Sequence, residues 1–545
     1  MNQEYKNIYM FKNPIRHFLN VENIEYPIIA HKHDDINLYA PTKPVRFTIR
    51  KYYGQNDQRE LLLPNLLNFY VLYEHVKSFP NFENLACISS FSRVSSSLKT
   101  GDFKVYNYQN HLEEDLCRLT IFDTLFRFDI KSFYNSIYTH YLVEYTKFSE
   151  YIYKSFPNDR YITWLNYGKT GGILAGNYIS LYLVEFYLRE VMQKLDTRLK
   201  ELNINHFIEN FSDDIYIFSN KTNENKIIEC LNVVLFDYNL EANSSKYITY
   251  DYITYNNENL VTKYWKTVIR KQKTHELSLL KNSVSPDMKY NMNFINQIIY
   301  RMTKLQEPKL QAVFVKNFFK GSFFTRIDPN MYNFTFENLH QLQFIMKKFP
   351  ETILYIMPKI RRYDLVKQHM PNFFLVFFNE IINSKYYEEQ MYVLYGLHIL
   401  NVDEISKNKK IFEAVMSTGN QILKSYFIIN YLPKGYDLRS LLVKDEENWF
   451  LNYHIIMKMN DSNLDDDIDE YLIPEFVKTK LLSNPNNSQY IEKKNKYHSF
   501  YKNNILLNNK MFKSLEEVEI EITSYLNEKI KERIEEVKKA NSLIL

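Results

Sequence analysis

The stretch FIENFSDDIYIFSN, residues 207–220, holds two adjacent aspartates, Asp213 and Asp214, within a run of aromatic and isoleucine residues. The strand-like segments on either side predict two strands that meet at a tight turn around Ser212. Neighbouring carboxylates repel each other, and apolar surroundings make their charges costlier still. Divalent ions cancel such repulsion, and hard cations such as Mg²⁺ prefer carboxylate oxygens. The turn is therefore a candidate metal site.

A third carboxylate occurs upstream in a similar setting. Asp129 follows the apolar strand-like residues of LFRFDI, 125–130, and precedes a segment predicted to be helical, 132–148. If the two strands are neighbours, Asp129, Asp213 and Asp214 form a two-metal site of the kind used in nucleotidyl transfer. One ion would activate the attacking hydroxyl, and the other would hold the triphosphate and the leaving group.

A glycine-rich entry into a long helix lies between the two aspartate segments. Gly172 and Gly176 precede NYISLYLVEFYLREVMQKL, 177–195, which has helical period. Its predicted apolar face is formed by Ile179, Leu183, Phe186, Val191 and Leu195. After the hairpin, the sequence predicts a helix near 222–235 and more strand at 246–255. The segment from 121 to 255 therefore predicts an α/β arrangement.

These three features occur in the order of motifs A, B and C of reverse transcriptases, whose palm this region resembles. FDIKSFYNSIYTH (128–140), GNYISLYLVE (176–185) and the SDD hairpin are similar to bacterial abortive-infection, defence-associated reverse transcriptases of the AbiK and AbiA type. RELLLPNLLNFYVL (59–72) resembles their fingers segment, in which a Pro-Asn pair opens a helix. The resemblance covers about residues 40–270.

The resemblance implies roles for individual side chains. Asp129, Asp213 and Asp214 would bind two Mg²⁺ or Mn²⁺ ions and carry catalysis, with Asp214 less directly bound than the others. Tyr134 would be a steric gate that selects deoxynucleotides, or else an ordinary core aromatic. Lys246, in EANSSKYITY, resembles the lysine that protonates the departing pyrophosphate, unless it is a solvated surface lysine.

Basic residues offer two candidate phosphate-binding sets. In the first, guanidinium and ammonium groups of the fingers would bind the triphosphate, and Arg59 is the best placed relative to Pro64. Its members are Arg46, Arg50, Lys51 and Arg59. The second, KYWKTVIRKQK (263–273), is either a nucleic-acid patch with stacking rings or a solvated face. Its members include Lys263, Trp265, Lys266 and Arg270.

Motif B departs from the reverse-transcriptase pattern. Leu174 and Ala175 stand where Gly-x-Pro-Gln-Gly has proline and glutamine. Because that glutamine normally contacts the incoming nucleotide, its loss weakens the case for strict templating, whereas Gly172 and Gly176 preserve close backbone approach. The resemblance therefore implies an anti-phage DNA polymerase that starts on a protein tyrosine, without a conventional template, and stays joined to single-stranded DNA. Exposed tyrosines such as Tyr39 and Tyr53 are the first candidates.

The predicted fold class is α+β, with a fingers–palm domain followed by an all-α, helical-repeat-like domain that replaces the thumb. The predicted units are an N-terminal region and fingers (1–120), a palm with motifs A to E (121–285) and an α-helical array (286–545). Helices in the array are predicted at 336–349, 372–384, 388–400 and 409–432. Such arrays often support homo-oligomers.

Two further segments of the array have distinct sequence signals. The acidic segment NLDDDIDEYL, 463–472, is predicted to be a solvated loop. Ser514 and Glu517 fit a capping box that starts the final helix, which would pack on the array or pair with a second subunit.

Composition narrows the class of protein. With 68 basic and 64 acidic residues the net charge is +4, which neither demands nor excludes nucleic acid. Cys87, Cys117 and Cys230 have no paired spacing, so a zinc site or a disulfide framework is not expected. No run of about 18 uninterrupted apolar residues occurs, which predicts a soluble bacterial cytoplasmic protein without a membrane partner.

Three other functions remain open at this stage. RRYDLVKQH (361–369) fits the Arg-x6-His spacing of helical HEPN ribonucleases through Arg362 and His369. A reverse transcriptase templated by a dedicated noncoding RNA would use the same palm. An RNA-binding scaffold with an inactive palm would not need Asp129, Asp213 and Asp214 at all.

Overall fold

The fold is that of a computed structural model, which describes most of the chain. The described residues are 4–29, 39–51, 58–145, 159–259, 290–305, 307–321, 324, 328, 330, 332–402, 405 and 408–542. Among them, no helix is long and apolar enough to cross a membrane.

The N-terminal part combines short strands and helices. Its elements are α1 (Tyr5–Tyr9), β1 (Val45–Arg50), β2 (Gln58–Leu63), α2 (Leu66–Val76), β3 (Ser96–Ser97), β4 (Asp102–Phe103) and α3 (Val105–Arg118). Strands β1 and β2 pair antiparallel, with Val45 opposite Leu63. The helix predicted after Pro64 is confirmed: the Asn65 side chain accepts a hydrogen bond from the Leu67 amide (3.1 Å) and caps α2.

A four-stranded antiparallel sheet forms the centre of the fold. The elements of this part are β5 (Thr124–Asp129), α4 (Phe133–Ser136), α5 (Thr139–Tyr145), α6 (Arg160–Trp164), α7 (Tyr178–Glu201), β6 (Phe207–Phe211), β7 (Asp214–Ser219), α8 (Glu224–Asp237) and β8 (Ile248–Tyr250). The strand order is β6–β7–β5–β8. Helix α7 packs on α8 and β6, and all five residues of its predicted apolar face are buried. The strand–turn–strand at 207–220 is confirmed.

Two predictions in this part need correction. The segment 132–148 is not one helix in its described residues, because Ile137 is extended and Tyr138 forms a β-bridge with Gly171 between α4 and α5. The strand predicted at 246–255 is limited to β8, and residues 252–259 are helical. The side chain and backbone of Asp251 bond Thr254, a local turn that ends the strand.

The C-terminal part is mainly helical. Its elements are β9 (Tyr290–Asn291), α9 (Asn293–Thr303), α10 (Pro308–Lys320), β10 (Tyr332–Asn333), α11 (Phe336–Lys348), α12 (Ile353–Ile360), α13 (Asp364–Ile381), α14 (Tyr387–Ile399), α15 (Lys409–Ser417), α16 (Gln421–Asn430), α17 (Trp449–Met459), α18 (Leu464–Tyr471), α19 (Glu475–Ser483), α20 (Ser488–Leu506) and α21 (Leu515–Ser542). The stretch 409–432 divides into α15 and α16, because Asn420 caps the second helix.

The acidic segment 463–472 was predicted to be a loop, and that prediction is wrong. It forms α18, whose first turn contains Asp465, Asp466 and Asp467. Negative charge at this end of a helix interacts favourably with the helix dipole and stabilises the helix. Arg439 also forms ion pairs with Asp467 (3.0 Å) and Asp461 (2.8 Å). Because Arg439, outside the segment, offsets the negative charge of these aspartates, the segment's own sequence did not indicate a helix.

The final helix packs on the N-terminal segment of the same chain. The predicted capping box is confirmed: the Ser514 amide donates to Glu517 (2.7 Å), and the Glu517 amide donates to Ser514 Oγ (3.2 Å). Leu19 and Phe512 form a β-bridge, and Lys513 Nζ donates to Glu22 (2.5 Å). The buried face of α21 is formed by Leu515, Val518, Ile522, Tyr525 and Leu526.

Candidate functional site

The three predicted aspartates lie at one end of the central sheet. Phe211 and Asp214 are paired across β6 and β7, so Ser212 and Asp213 form the turn, with Ser212 at φ +53°. Asp129 is the last residue of β5 and pairs with Asp214. The Ile130 amide donates to the Asp213 carbonyl (3.0 Å) and fixes the turn against β5. The sheet register therefore joins residues that are far apart in sequence.

We call Asp129, Asp213 and Asp214 the aspartate site. Their carboxylates influence one another electrostatically. The pKa of Asp213 is raised above its ordinary value, first because the group is largely surrounded by protein and then because Asp214 carries a nearby negative charge. The charge of Asp129 raises the pKa of Asp213 further. An excess of negative charge at a hairpin turn favours the binding of a cation.

Two cations of the protein partly neutralise the site. Lys246 Nζ is 2.6 Å from Asp129 Oδ1, and Asn243 Nδ2 donates to Asp129 Oδ2 (3.0 Å). Arg127 lies 3.4 Å from the Asp214 carboxylate. The Lys246 side chain is 47% exposed, so water can replace its contact at little cost.

Arg127 and Asn243 were not among the residues predicted from the sequence, although the position of each along the chain could have indicated it. Arg127 is two residues before Asp129 in the same strand and therefore lies on the same face of the sheet. Asn243 belongs to the segment that also contains Lys246. The two residues fix the orientation of the acids on either side of the hairpin.

The donor types of the aspartate site fit a hard divalent cation, because carboxylate oxygens in excess negative charge are what Mg²⁺ and Mn²⁺ prefer. In the arrangement described here, however, no three His, Cys, Asp or Glu side chains within the described ranges are grouped so that they could hold one metal ion. Lys246 and Arg127 occupy two of the carboxylates. A metal would replace these cations as counter-charge.

Gly172 brings Tyr134 to the turn. The Ile173 amide donates to the Tyr134 carbonyl (2.9 Å), and Gly172 has φ +84°. A Cβ on Gly172 would lie 3.2 Å from the Asn135 Cα, so only glycine permits this approach. Burial raises the pKa of Tyr134, and the charge of Asp213 raises it further. The predicted gate residue therefore lies beside the aspartate site.

Gly176 joins the N-terminal segment to the same region. Its φ is +103°, and its carbonyl accepts a hydrogen bond from the Phe11 amide (2.7 Å). A Cβ here would lie 3.3 Å from Leu61 Cδ2. Asn177 then caps α7 by accepting from the Ser180 amide (2.8 Å). The second motif B glycine thus holds residues 10–12 and β2 near the site.

The predicted fingers cations have different surroundings. Arg50 forms a two-point ion pair with Glu389 (2.6 and 3.2 Å), and Arg46 pairs with Glu447 (3.1 Å). Lys51 is exposed at the end of β1. Arg59 is also exposed, and its positive charge lowers the pKa of both Asp213 and Tyr134. Of these cations, Arg59 is the one whose charge acts on the aspartate site.

The remaining sequence candidates lie elsewhere. Lys263, Trp265, Lys266 and Arg270 fall outside the described residues, as does Tyr53. Tyr39 was expected to be exposed, and this is wrong: it is 4% exposed and packs edge-on against Tyr497, which shields it from solvent. Arg362 and His369 are exposed, with the His369 ring 5.1 Å from that of Phe336.

Comparison with known proteins assigns no family. No protein-family model matches the chain, and no curated protein matches it. Among solved structures, the chain is similar to telomerase from Candida albicans in complex with the TWJ fragment of telomeric RNA, at 11% identity and a TM-score of 0.27, over 74% of this chain and 66% of that one. Telomerase from Candida tropicalis, in complex with the same kind of fragment, matches at 14% identity and a TM-score of 0.29, over 69% and 64%. The chain thus spans less than two thirds of either telomerase chain, and similarity this low assigns no shared activity.

Proposed function

We propose that this chain is a nucleotidyltransferase of reverse-transcriptase type that adds deoxynucleotides to a growing DNA strand. The observation that carries the proposal is the meeting of Asp129, Asp213 and Asp214 at one end of the sheet, with Tyr134 beside the turn. Two bound Mg²⁺ or Mn²⁺ ions would supply activation of the attacking hydroxyl and neutralisation of the leaving pyrophosphate.

Each neighbouring side chain has a role in this reaction. Asp129 and Asp214, which contact Lys246 and Arg127 in this structure, would hold the metal ions together with Asp213. Lys246, released from Asp129, donates a proton to the departing pyrophosphate as a general acid. Tyr134 packs under the sugar and excludes a 2′-hydroxyl, and Arg59 binds the triphosphate through its guanidinium fork.

The proposal extends to how synthesis starts and what directs it. Ala175 has no side-chain amide that could contact a templated base pair, which supports synthesis without a conventional template. A tyrosine hydroxyl of the protein serves as primer, so the single-stranded DNA product stays covalently attached, in the service of anti-phage defence. Tyr39 is a poor primer because it is buried.

The test is incorporation of each labelled dNTP, one at a time, by purified protein with Mg²⁺ or Mn²⁺. Reactions are run before and after removal of co-purifying RNA, and the protein is examined on denaturing gels and by mass spectrometry. Asp213→Asn is the inactive variant. Asp237→Asn, which changes an exposed aspartate at the end of α8 that pairs with Arg198, is the matched control.

We expect a nuclease-sensitive mass ladder on wild type and on Asp237→Asn, and none on Asp213→Asn. If incorporation disappears when the RNA is removed, synthesis is templated by a noncoding RNA, and the proposal of untemplated synthesis is wrong. If wild type and Asp213→Asn are equally silent with every dNTP and with RNA, the polymerase proposal is wrong. Full phage protection by Asp213→Asn would then favour an RNA-binding scaffold with an inactive palm, for which the existing neutralisation of Asp129 and Asp214 is the supporting observation.

A further inference from the structure

One face of α10 carries a row of lysines. Lys309, Lys316 and Lys320 are spaced by seven and four residues, which puts them on the same side of a helix with 3.6 residues per turn. Lys316 and Lys320 both reach Glu351, at 2.7 and 2.6 Å. Two ammonium groups thus share one carboxylate, and Lys309 extends the row beyond it.

A continuous set of contacts joins this row to the aspartate site. Phe211, which precedes the turn, packs edge-on against Phe103 (5.2 Å between ring centres), and Lys12 Nζ lies 5.0 Å from the centre of the Phe103 ring. Next to Phe103, Asp102 accepts a hydrogen bond from the Tyr525 hydroxyl (2.5 Å). Lys320 Nζ in turn lies 6.0 Å from the Tyr525 ring centre. The route runs from the hairpin turn across Lys12 to α10.

The basic patch consists of Lys12, Lys309 and Lys316 together with Arg59, whose charge acts on both Lys12 and Asp213. Within the described residues, Lys12, Arg59 and Lys309 have no carboxylate at ion-pair distance, and all three are exposed to solvent. Surrounding protein lowers the pKa of Lys12; Asp102 raises it, whereas the charges of Lys316, Lys309 and Arg59 lower it. Lys12 is therefore a solvent-exposed ammonium, and most of the charges that act on it have its own sign.

The backbone at Lys12 is held in an unfavourable conformation. Its φ is +65°, in the left-handed region that L-residues with side chains rarely adopt. Hydrogen bonds on both sides maintain it, from the Lys12 amide to the Gly101 carbonyl (2.7 Å) and from the Phe11 amide to the Gly176 carbonyl (2.7 Å). Strain of this kind persists at functional sites, where the surrounding structure determines it. Gly101 and Gly176 therefore hold the backbone at Lys12 from both sides.

We propose that the basic patch binds successive phosphates of the single-stranded DNA product beside the aspartate site. This inference rests on the proposed function and names the path of its product. Lys309 and Lys316 alone are about 10 Å apart along the axis of α10, at a rise of 1.5 Å per residue. Together with Lys12 and Arg59, from two other segments, they match the repeated charges of a strand better than one compact triphosphate.

The experiment measures binding of a 5′-fluorescein-labelled (dT)20 to the full-length protein by anisotropy, in EDTA and without dNTPs. Each lysine that neutralises a phosphate contributes about 0.7 to the slope of log K against log salt for a single strand. We expect Lys309→Gln and Lys12→Gln each to weaken binding several-fold and to reduce the slope by about 0.7, and the double variant by about 1.4. Lys410→Gln, an exposed lysine on α15, is the matched control and should leave the slope unchanged.

Two results would overturn the proposal. One is an unchanged slope in Lys309→Gln, whose exposed position makes misfolding a minor concern that a thermal melt checks. The other is one-for-one displacement of (dT)20 by low concentrations of dTTP or tripolyphosphate, which would identify the patch as a triphosphate site. Because no metal or dNTP is present, Asp213→Asn should bind (dT)20 at least as tightly as wild type. A wild-type protein that binds (dT)20 but incorporates no dNTP would therefore reject the proposed function without rejecting the patch.

Discussion

Two clusters of acidic residues lie at the central sheet, and they differ in how completely cations neutralise them. In the first, the balanced cluster, two guanidinium groups match two carboxylates. Arg93 binds Asp115 through two contacts (2.6 and 3.0 Å) and Glu209 through Nη2 (2.7 Å), and Arg118 adds a contact to Glu209 (2.7 Å). The Tyr255 hydroxyl donates to Asp115 (2.6 Å), so this buried carboxylate is fully bonded.

The aspartate site has three carboxylates and weaker compensation. Arg127 contacts Asp214 only at 3.4 Å, the Lys246 partner of Asp129 is half-exposed, and Asp213 forms no ion pair with a described residue. Burial, and then the negative charge of Asp214, raise the pKa of Asp213. In the balanced cluster the carboxylates are matched by guanidinium groups in number and geometry, whereas in the aspartate site negative charge is left in excess.

The largest effect on stability is expected in the balanced cluster. Asp115→Ala leaves Arg93 buried without its two-point partner and should lower the free energy of unfolding by about 3–5 kcal/mol. Denaturant titration measures this loss. Asp213→Asn is the matched variant in the aspartate site and should not destabilise the protein. Equal losses in the two variants would remove the distinction between the clusters.

The next effect concerns the loop that supports the aspartate site. Gly172→Ala adds a Cβ 3.2 Å from the Asn135 Cα at φ +84° and should cost about 1–3 kcal/mol, with a parallel loss of dNTP incorporation. Gly171→Ala is the control, because its Cβ would meet no atom within 4 Å and its φ is not in the left-handed region. If both variants behave alike, Gly172 does not hold Tyr134 in place.

A second excess of negative charge lies in the helical array, at Glu388, and the pH dependence of stability tests it separately from the aspartate site. Burial and then the charges of Glu389 and Glu351 raise the pKa of Glu388 from 4.5 to about 8. The folded state therefore binds this proton more tightly than the unfolded state, and stability falls as the pH rises from about 4.5 towards 8. Glu388→Gln should flatten that fall by about 3 kcal/mol in denaturant titrations at pH 5 and pH 8. An unchanged pH dependence would contradict the prediction.

The smallest effect is expected at the exposed counter-ion. Lys246→Met removes a contact that solvent screens, so the free energy of unfolding should change by less than about 1 kcal/mol. Incorporation of dNTPs should nevertheless fall by about 10²-fold or more, as is typical of the loss of a general acid. Single-turnover kinetics at saturating dNTP would measure it. A variant with full activity would restrict Lys246 to neutralising Asp129.

The parts of the aspartate site that depend on local hydrophobic pattern and on strand register could be predicted from the sequence. Apolar strands on both sides of Asp213 specify the hairpin, and the period of α7 specifies its buried face. What the sequence did not reveal depends on partners in other segments: α18 is stabilised by Arg439, the Lys12 amide is held by Gly101, and Arg50 is paired with Glu389. Such contacts form only when separate segments of the chain pack together, and the bridge between Leu19 and Phe512 is another example.

The excess charge of the aspartate site is tested most directly by the dependence of unfolding free energy on Mg²⁺ or Mn²⁺ concentration, in wild type and Asp213→Asn. A ligand that binds only the folded state raises stability by RT ln(1 + [L]/Kd). We predict that the metal stabilises wild type and not Asp213→Asn, which without metal is at least as stable as wild type. The same metal response in both proteins, or a loss in Asp213→Asn as large as that in Asp115→Ala, would contradict it.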